Sequence, residues 1–305
     1  MNGYPGLADA LRLTRPRQWP ILSAQLLVGI ALALPPGAAL ATALEQLSPW
    51  PLVGAWLAWV VLLNGGTLAY NSVWDRDAGA VAYLRRPPEP PVWLPGAALA
   101  WMTAGVAVGA WLVGPAFAAV TAACVLLSVA YSHPGPRWKG KPGLDLAVNM
   151  AGYGAGTTAA GLLAGRAALP GHVPGGGLPA GLLCLGFALL FGSFYPLTQI
   201  YQVEADRARG DRTLSTRLGT RGALTLAFGL GFAALLALAA ALAAGARARL
   251  LWLPALAMFL WLAHLLRWRT RAAAMDAAAH EQGMYRALWL WAGVDAALVV
   301  AWLAG

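Results

Sequence analysis

Nine runs of about 20 mainly apolar residues divide this chain, near 19–36, 51–73, 96–113, 115–132, 145–165, 179–200, 222–244, 249–266 and 286–303. Each is long enough to cross the hydrocarbon core of a bilayer as a helix. In lipid every backbone N–H and C=O must be satisfied within the protein, so spans of this length fold as helices. Composition agrees. The chain is 59% apolar and only 11% charged, where an ordinary soluble domain has about 25% charged residues. So little polar material cannot coat a globule of 305 residues. The expected fold is all-α: a polytopic integral membrane protein whose nine transmembrane helices surround a central cavity opening near the cytoplasmic face. Residues 1–305 read as a single domain.

Charge sets the orientation. The segment before the first run holds Arg12, Arg15 and Arg17. The loops after the second and fourth runs hold Arg76, Arg85 and Arg86, then Arg137, Lys139 and Lys141. Those after the sixth and eighth hold Arg207, Arg209, Arg212, Arg217 and Arg221, then Arg267, Arg269, Arg271 and Arg286. Of 21 cationic residues, only Arg166, Arg247 and Arg249 fall on the other side. The positive-inside rule makes the crowded side cytoplasmic. In a multi-pass protein of the cell membrane, the N-terminus is then cytoplasmic and the C-terminus outside. Topology accounts for the excess of cations, so no nucleic-acid partner follows from it. No cleavable signal peptide is evident, because the first run continues past Arg12, Arg15 and Arg17 without a small-residue cleavage site. Cys124 and Cys184 lie inside apolar runs without metal-ligand spacing and read as small packing groups.

Acids sit where the orientation rule does not ask for them. Asp75, Asp77 and Glu89 follow the second run; Glu204, Asp206 and Asp211 follow the sixth. Carboxylates at a cavity mouth repel one another unless a cation binds among them. Mg²⁺ takes oxygen ligands and commonly joins one or two carboxylates to substrate phosphates. At helical spacing Asn64, Thr67, Asn71 and Asp75 share one face, and so do Tyr195, Gln199, Gln202 and Asp206. Polar stripes within apolar spans normally face a bundle interior or a wet cavity. The plainer account is that these acids neutralise loop arginines. A third polar loop, from Tyr131 to Pro142, carries Arg137, Lys139 and Lys141. Fixed cations near two acid clusters suit a polyanionic ligand such as a diphosphate, although each cation alone is equally well an orientation signal.

These residues resemble the UbiA superfamily of intramembrane prenyltransferases, with nine helices and aspartate-rich motifs after helices two and six. The first motif usually reads Asn-Asp-x-x-Asp-x-x-x-Asp. Here Asn71 and Asp75 keep two of its positions, Ser72 and Gly79 replace two acids, and Asp77 is an extra acid. The second motif, Asp-x-Glu-x-Asp with a following Gly and Thr-Leu stretch, is matched by Glu204, Asp206, Gly210, Thr213, Leu214 and Gly219. Gln202 stands where its leading Asp would be. The segment from Tyr131 to Lys139 resembles the family's basic loop after helix four. The chain thus looks like a divergent subgroup with altered motifs. A carboxamide still offers Mg²⁺ an oxygen, but no charge.

The resemblance implies Mg²⁺-dependent transfer of an isoprenyl group from an isoprenyl diphosphate to an aromatic or lipophilic acceptor within the membrane. Metal contact falls to Asn71, Asp75, Asp77, Gln202, Glu204 and Asp206. Diphosphate contact falls to Arg137, Lys139, Lys141, Asn149, Tyr195 and Gln199. Asn71, Asp75, Asp206, Arg137, Lys139 and Tyr131 would act in catalysis. Trp74, Tyr131, Tyr195 and Tyr201 could face an allylic cation, though each also suits an interfacial aromatic belt. The glycines from Gly152 to Gly161 either admit an isoprenoid tail or pack helices closely. Asp145 either extends the site with Asn149 or is a helix-start carboxylate. Asp295, inside the ninth run, must face protein or water. Two other functions stay open: a terpene cyclase of the same superfamily, and a transporter or lipid-binding protein without chemistry. Membrane lipid is the surrounding partner, and no protein partner is inferable.

Overall fold

The computed structural model describes residues 6–37, 39–75, 84, 86–169, 177–209, 213–247 and 249–304. Asp77, Gly79 and Asp211, with Arg76, Arg85, Arg212 and Gly210, lie outside the described residues. In chain order the main helices are α1 (Leu7–Leu13), α2 (Trp19–Ala31), α3 (Ala39–Glu45), α4 (Pro49–Asp75), α5 (Leu94–Leu112), α6 (Pro115–Ser132) and α7 (144–167). They continue with α8 (Leu178–Phe194), α9 (Leu197–Ile200), α10 (Val203–Arg209), α11 (Leu214–Ala244), α12 (Trp252–Arg271) and α13 (Ala277–Ala304). No strand occurs among the described residues.

Each of the nine apolar runs is wholly or mainly helical, and six helical stretches are long and apolar enough to cross a membrane. These are Pro49–Asp75, Leu94–Leu112, Pro115–Ser132, Leu178–Ile200, Leu214–Ala244 and Ala277–Ala304. The other three runs fall short for local reasons. Helix α2 has 13 residues, α7 is diluted by glycines, and α12 ends on Arg267, Arg269 and Arg271. Large apolar side chains point outward: Trp111 is 84% exposed and Trp289 78% exposed. A water-soluble chain would not leave so many uncovered. These helices and their outward face are the build of an integral membrane protein.

The chain divides into two compact units. One comprises residues 1–33, 44–138 and 159–172; the other comprises 34–43, 139–158 and 173–305. In the first unit α4 and α5 run antiparallel, joined through small residues. A Cβ added at Gly66 would lie 2.6 Å from Met102 Cγ, and one at Gly105 would lie 2.9 Å from the Ala58 carbonyl oxygen. Gly54 meets Leu112 in the same way. Without a hydrophobic drive between helices in lipid, such close approach supplies the dispersion contact. In the second unit a Cβ at Gly154 would sit 2.5 Å from Ala188 Cα, so α7 and α8 touch backbone to backbone. Within the first unit, Gly161 packs equally close on Leu26 and Gly29. Close packing is therefore the role of these two glycines. An added methyl at either would overpack the contact, at about 1–3 kcal/mol.

Elsewhere polar groups close the helix ends of the second unit. Arg247 donates from Nη1 to the Trp302 carbonyl at 3.0 Å, and its guanidinium stacks 3.9 Å over the Trp302 ring. The Gly37 N–H donates to the Leu303 carbonyl at 2.8 Å. Both satisfy carbonyls that the end of α13 leaves without intrahelical partners. His264, on α12, bonds the Gly283 carbonyl of α13 at 3.0 Å. Asp295 accepts from the Trp291 indole at 3.1 Å, so it faces protein.

Candidate active site

The two acid-bearing segments are built differently, one in each unit. In the first unit α4 changes its winding before it reaches the acids. Trp56–Asn64 forms π-helix, with i→i+5 bonds, and Gly65–Asp75 returns to α-helix. Asn64 is buried at the end of the π-helical stretch, and Thr67, Asn71 and Asp75 follow it at α-helical spacing.

Those three residues are held by a relay of hydrogen bonds. Ser132, at the end of α6, donates to Asn71 Oδ1 at 3.0 Å. Asn71 Nδ2 donates in turn to Asp75 Oδ2 at 2.7 Å, an i, i+4 pair. Thr67 shares a 2.9 Å hydrogen bond with Ser128, one turn earlier on α6. The carboxylate is thus aimed by an amide that is itself aimed by a hydroxyl. Asp75 is exposed at the helix end, with the Trp74 ring beside it edge-on to His133 at 5.5 Å. Tyr131 is half-buried and immediately precedes Ser132. Arg137 is exposed in a left-handed turn with φ 41°.

In the second unit, the stripe from Tyr195 to Asp206 was expected on one continuous helix, and this is corrected. Pro196 has no N–H to continue the ladder, so α8 ends at Phe194 and α9 is a separate turn, Leu197–Ile200. A second turn at Tyr201 and Gln202 leads into α10. Tyr195 and Gln199 nonetheless meet, at Asp145 at the start of α7. Its Oδ1 accepts from the Gly143 N–H at 2.8 Å and the Leu146 N–H at 2.7 Å. Its Oδ2 accepts from Tyr195 Oη at 3.4 Å, and the Gln199 amide also donates to the carboxylate. Asn149 Nδ2 bonds the Asp145 carbonyl at 2.8 Å. Gln199 Oε1 accepts from the Ser215 N–H at 3.2 Å, tying the group to α11. Asp145 is thus a helix-start carboxylate that also accepts from Tyr195 and Gln199.

Asp206, only 4% exposed, accepts from Thr213 Oγ1 at 3.4 Å. Thr213 is also the N-cap of α11, accepting from the Thr216 N–H at 3.2 Å. Glu204 points elsewhere. Its side chain is 94% exposed and pairs with Arg207 at 4.0 Å. Gln202 is half-buried, and its carbonyl accepts from the Asp206 N–H at 2.8 Å. Lys139 is half-buried in a short 3₁₀ turn, and Lys141 is exposed. Sequence reasoning gave no role to Ser128 or Ser132 and did not pair Arg15 with Ser72. The polarity of Ser128 and Ser132 within an apolar run was the signal for the first two.

Among the described residues no group of three or more His, Cys, Asp or Glu side chains gathers to hold a metal alone. The donors present still suit a hard cation. Each unit offers one carboxylate held by a neutral donor, Asp75 by Asn71 Nδ2 and Asp206 by Thr213 Oγ1. Mg²⁺ is commonly held by one or two carboxylates, with substrate phosphates completing its shell.

This separation makes a test. Glu204→Gln should leave the Mg²⁺ concentration for half-maximal activity nearly unchanged. Gln202→Asp, which adds charge one turn from Asp206, should lower it. An unchanged requirement in Gln202→Asp would remove residue 202 from the metal's surroundings.

A profile of the UbiA prenyltransferase family matches residues 27–292. No curated protein matches the chain. Solved structures do. One of digeranylgeranylglyceryl phosphate synthase has TM-score 0.69 at 14% identity, covering 97% of this chain and 98% of that one. A UbiA homologue from Archaeoglobus fulgidus, bound to DMAPP and Mg²⁺, has TM-score 0.65 at 18% identity over 94% of this chain and 99% of its own. The apo homologue from Aeropyrum pernix K1 has TM-score 0.55 at 17% identity, over 93% and 97%. At such identities the structural likeness concerns the fold. The profile spans most of the chain, and this protein belongs to the UbiA prenyltransferase family.

Proposed function

We propose that this protein catalyses Mg²⁺-dependent transfer of an isoprenyl group from an isoprenyl diphosphate to an aromatic or lipophilic acceptor within the membrane. The observation that carries the reading is the pair of oriented carboxylates, Asp75 aimed by Asn71 and Asp206 aimed by Thr213. Asp75 ends α4 and Asp206 lies in α10, at the chain positions where the family carries its acidic motifs. Homologues bound to DMAPP or GPP with Mg²⁺ support the same substrate class.

Asn71, Asp75, Gln202 and Asp206 would hold Mg²⁺, with Asp77 as a further acid. When bound, the metal neutralises charge that develops on a departing diphosphate. Arg137, Lys139 and Lys141 add fixed positive charge toward the same oxygens. The allylic C–O bond breaks and diphosphate leaves. The acceptor carbon bonds to the allylic carbon, and the acceptor loses a proton. The faces of Tyr153, Phe191 and Tyr195, stacked at 5.4 and 6.3 Å between centroids, suit stabilisation of the allylic cation. Asp145 would fix Tyr195 and Gln199, and Asn149 would complete that wall.

Purified protein in lipid nanodiscs should be given a panel of isoprenyl diphosphates, membrane lipid extract and Mg²⁺. The expected products are a prenylated lipid-soluble acceptor and free diphosphate. Hydrocarbon or terpene alcohol formed without extract would instead identify a cyclase. No diphosphate release from any substrate would remove the enzymatic reading. Nine passes place a tag at the N-terminus or in the 202–221 loop on the cytoplasmic side and a C-terminal tag outside. A cytoplasmic C-terminal tag would overturn that count.

A further inference from the structure

Arg15 is a buried cation in an uncommon backbone state. It is 6% exposed, and its φ of 53° and ψ of 61° place it in the left-handed region. A non-glycine residue there carries a backbone cost, and such costs persist where the surroundings over-determine the conformation. The surroundings here are the acid-bearing end of α4. Thr14, 3% exposed, lies against Gly65, where an added Cβ would come 3.3 Å from Thr14 Cβ. Two turns along the same helix, Arg15 Nη2 donates to Ser72 Oγ at 3.5 Å. Ser72 passes its own proton to the Leu68 carbonyl at 2.9 Å. Trp19 Nε1 donates to the Thr14 carbonyl at 3.3 Å and holds the bend from the other side. The segment Thr14–Arg15 therefore runs along the Gly65–Ser72 face, adjacent to the face that carries Asn71 and Asp75.

We propose that Arg15 is a positioning residue for the Asn71–Asp75 pair, anchoring the last turn of α4 through Ser72. The Arg15–Ser72 contact stands at the motif position where a metal-binding carboxylate would otherwise be expected. A guanidinium stays charged throughout the accessible pH range and presents its donors in a rigid fork. Burial of both partners makes the contact a fixed strut rather than a surface pairing. This rests on the proposed function only for its kinetic consequence; the anchoring itself concerns the chain alone.

Three variants separate the contributions. Arg15→Gly suits the left-handed backbone and removes only the side chain, Arg15→Lys keeps a charge, and Ser72→Ala removes the acceptor. In ligand-free protein, deuterium uptake by peptides covering residues 65–75 should rise in Arg15→Gly and Ser72→Ala, and no further in the double variant. Partners that orient metal ligands typically change metal affinity or activity by about 10–100-fold. Arg15→Gly should accordingly raise the Mg²⁺ concentration for half-maximal diphosphate release, with partial rescue in Arg15→Lys. Its KM for isoprenyl diphosphate should move less than kcat. Additive effects of the two single changes would overturn the proposal, because residues acting through one contact are not additive. Unchanged uptake over residues 65–75 would do the same. If wild-type protein releases no diphosphate, the proposed function falls, while deuterium uptake still decides whether Arg15 anchors α4. Should Arg15→Gly not fold, Ser72→Ala and Arg15→Lys carry the same readouts.

Discussion

Asp206→Asn should lower turnover of an isoprenyl diphosphate by about 10²–10³-fold, the usual loss when one charge-stabilising group is removed. Asp75→Asn should act in the same direction. Asparagine preserves shape in both cases. At residue 206 it still accepts from Thr213 Oγ1, and at residue 75 its oxygen still meets Asn71 Nδ2. Folding should therefore survive, and melting temperatures in detergent should stay within a few degrees of wild type. The loss then belongs to the charge and not to the scaffold. Excess chelator should reproduce it in wild-type protein, with activity returning when Mg²⁺ is restored. Initial rates of diphosphate release across an Mg²⁺ titration provide the measurement. Wild-type rates in either variant would remove that carboxylate from the chemistry.

Asp145→Ala should instead lower stability and activity together. It removes acceptors for the Gly143 and Leu146 N–H groups, the Tyr195 hydroxyl and the Gln199 amide. Each buried donor left unsatisfied costs about 1–3 kcal/mol. A loss of that size is a large fraction of the stability of a typical fold, so the melting temperature should fall by many degrees. Asp145→Asn separates the two roles. Its side-chain oxygen can still accept from the two N–H groups, but its NH₂ cannot accept from Tyr195. It should melt near wild type yet turn over slowly, with Tyr195 and Gln199 no longer held by a carboxylate. Equal melting and equal activity in Asp145→Ala would show that the convergence around Asp145 has neither role.

The helical architecture was legible because its cause is one-dimensional: a run of apolar residues must satisfy its own backbone in lipid, and length alone reveals that. Gly114-Pro115 likewise signalled the turn between α5 and α6, where Gly114 adopts φ 136°. The break after α8 was also written in the chain, in Pro196, but helical phase was projected through it. Less could be read at Trp56–Asn64 and Met150–Gly156, where no proline marks the change of winding. Burial was the hardest quantity to infer. Glu204 and Asp206 are two residues apart in one motif, yet one lies in water beside Arg207 and the other is enclosed beside Thr213. Only the three-dimensional course of the 195–213 segment distinguishes them. Arg15 was read as one of the cations that set the orientation, but nothing in its neighbours on the chain foretold that it would be buried.

The wide turns of α4 bear on how chain length can vary in this fold. A π-turn takes up roughly one residue more than the α-turn it replaces, while the helix above and below keeps its facing. A homologous helix wound as ordinary α over this stretch would be shorter by about that residue. It would still present Thr67, Asn71 and Asp75 on the side they occupy here. A residue lost between Gly65 and Asp75 would have no such slack, because every later side chain would turn by a full helical step. Insertions and deletions in this helix should therefore collect between Trp56 and Asn64, and the acid-bearing turn should keep its spacing.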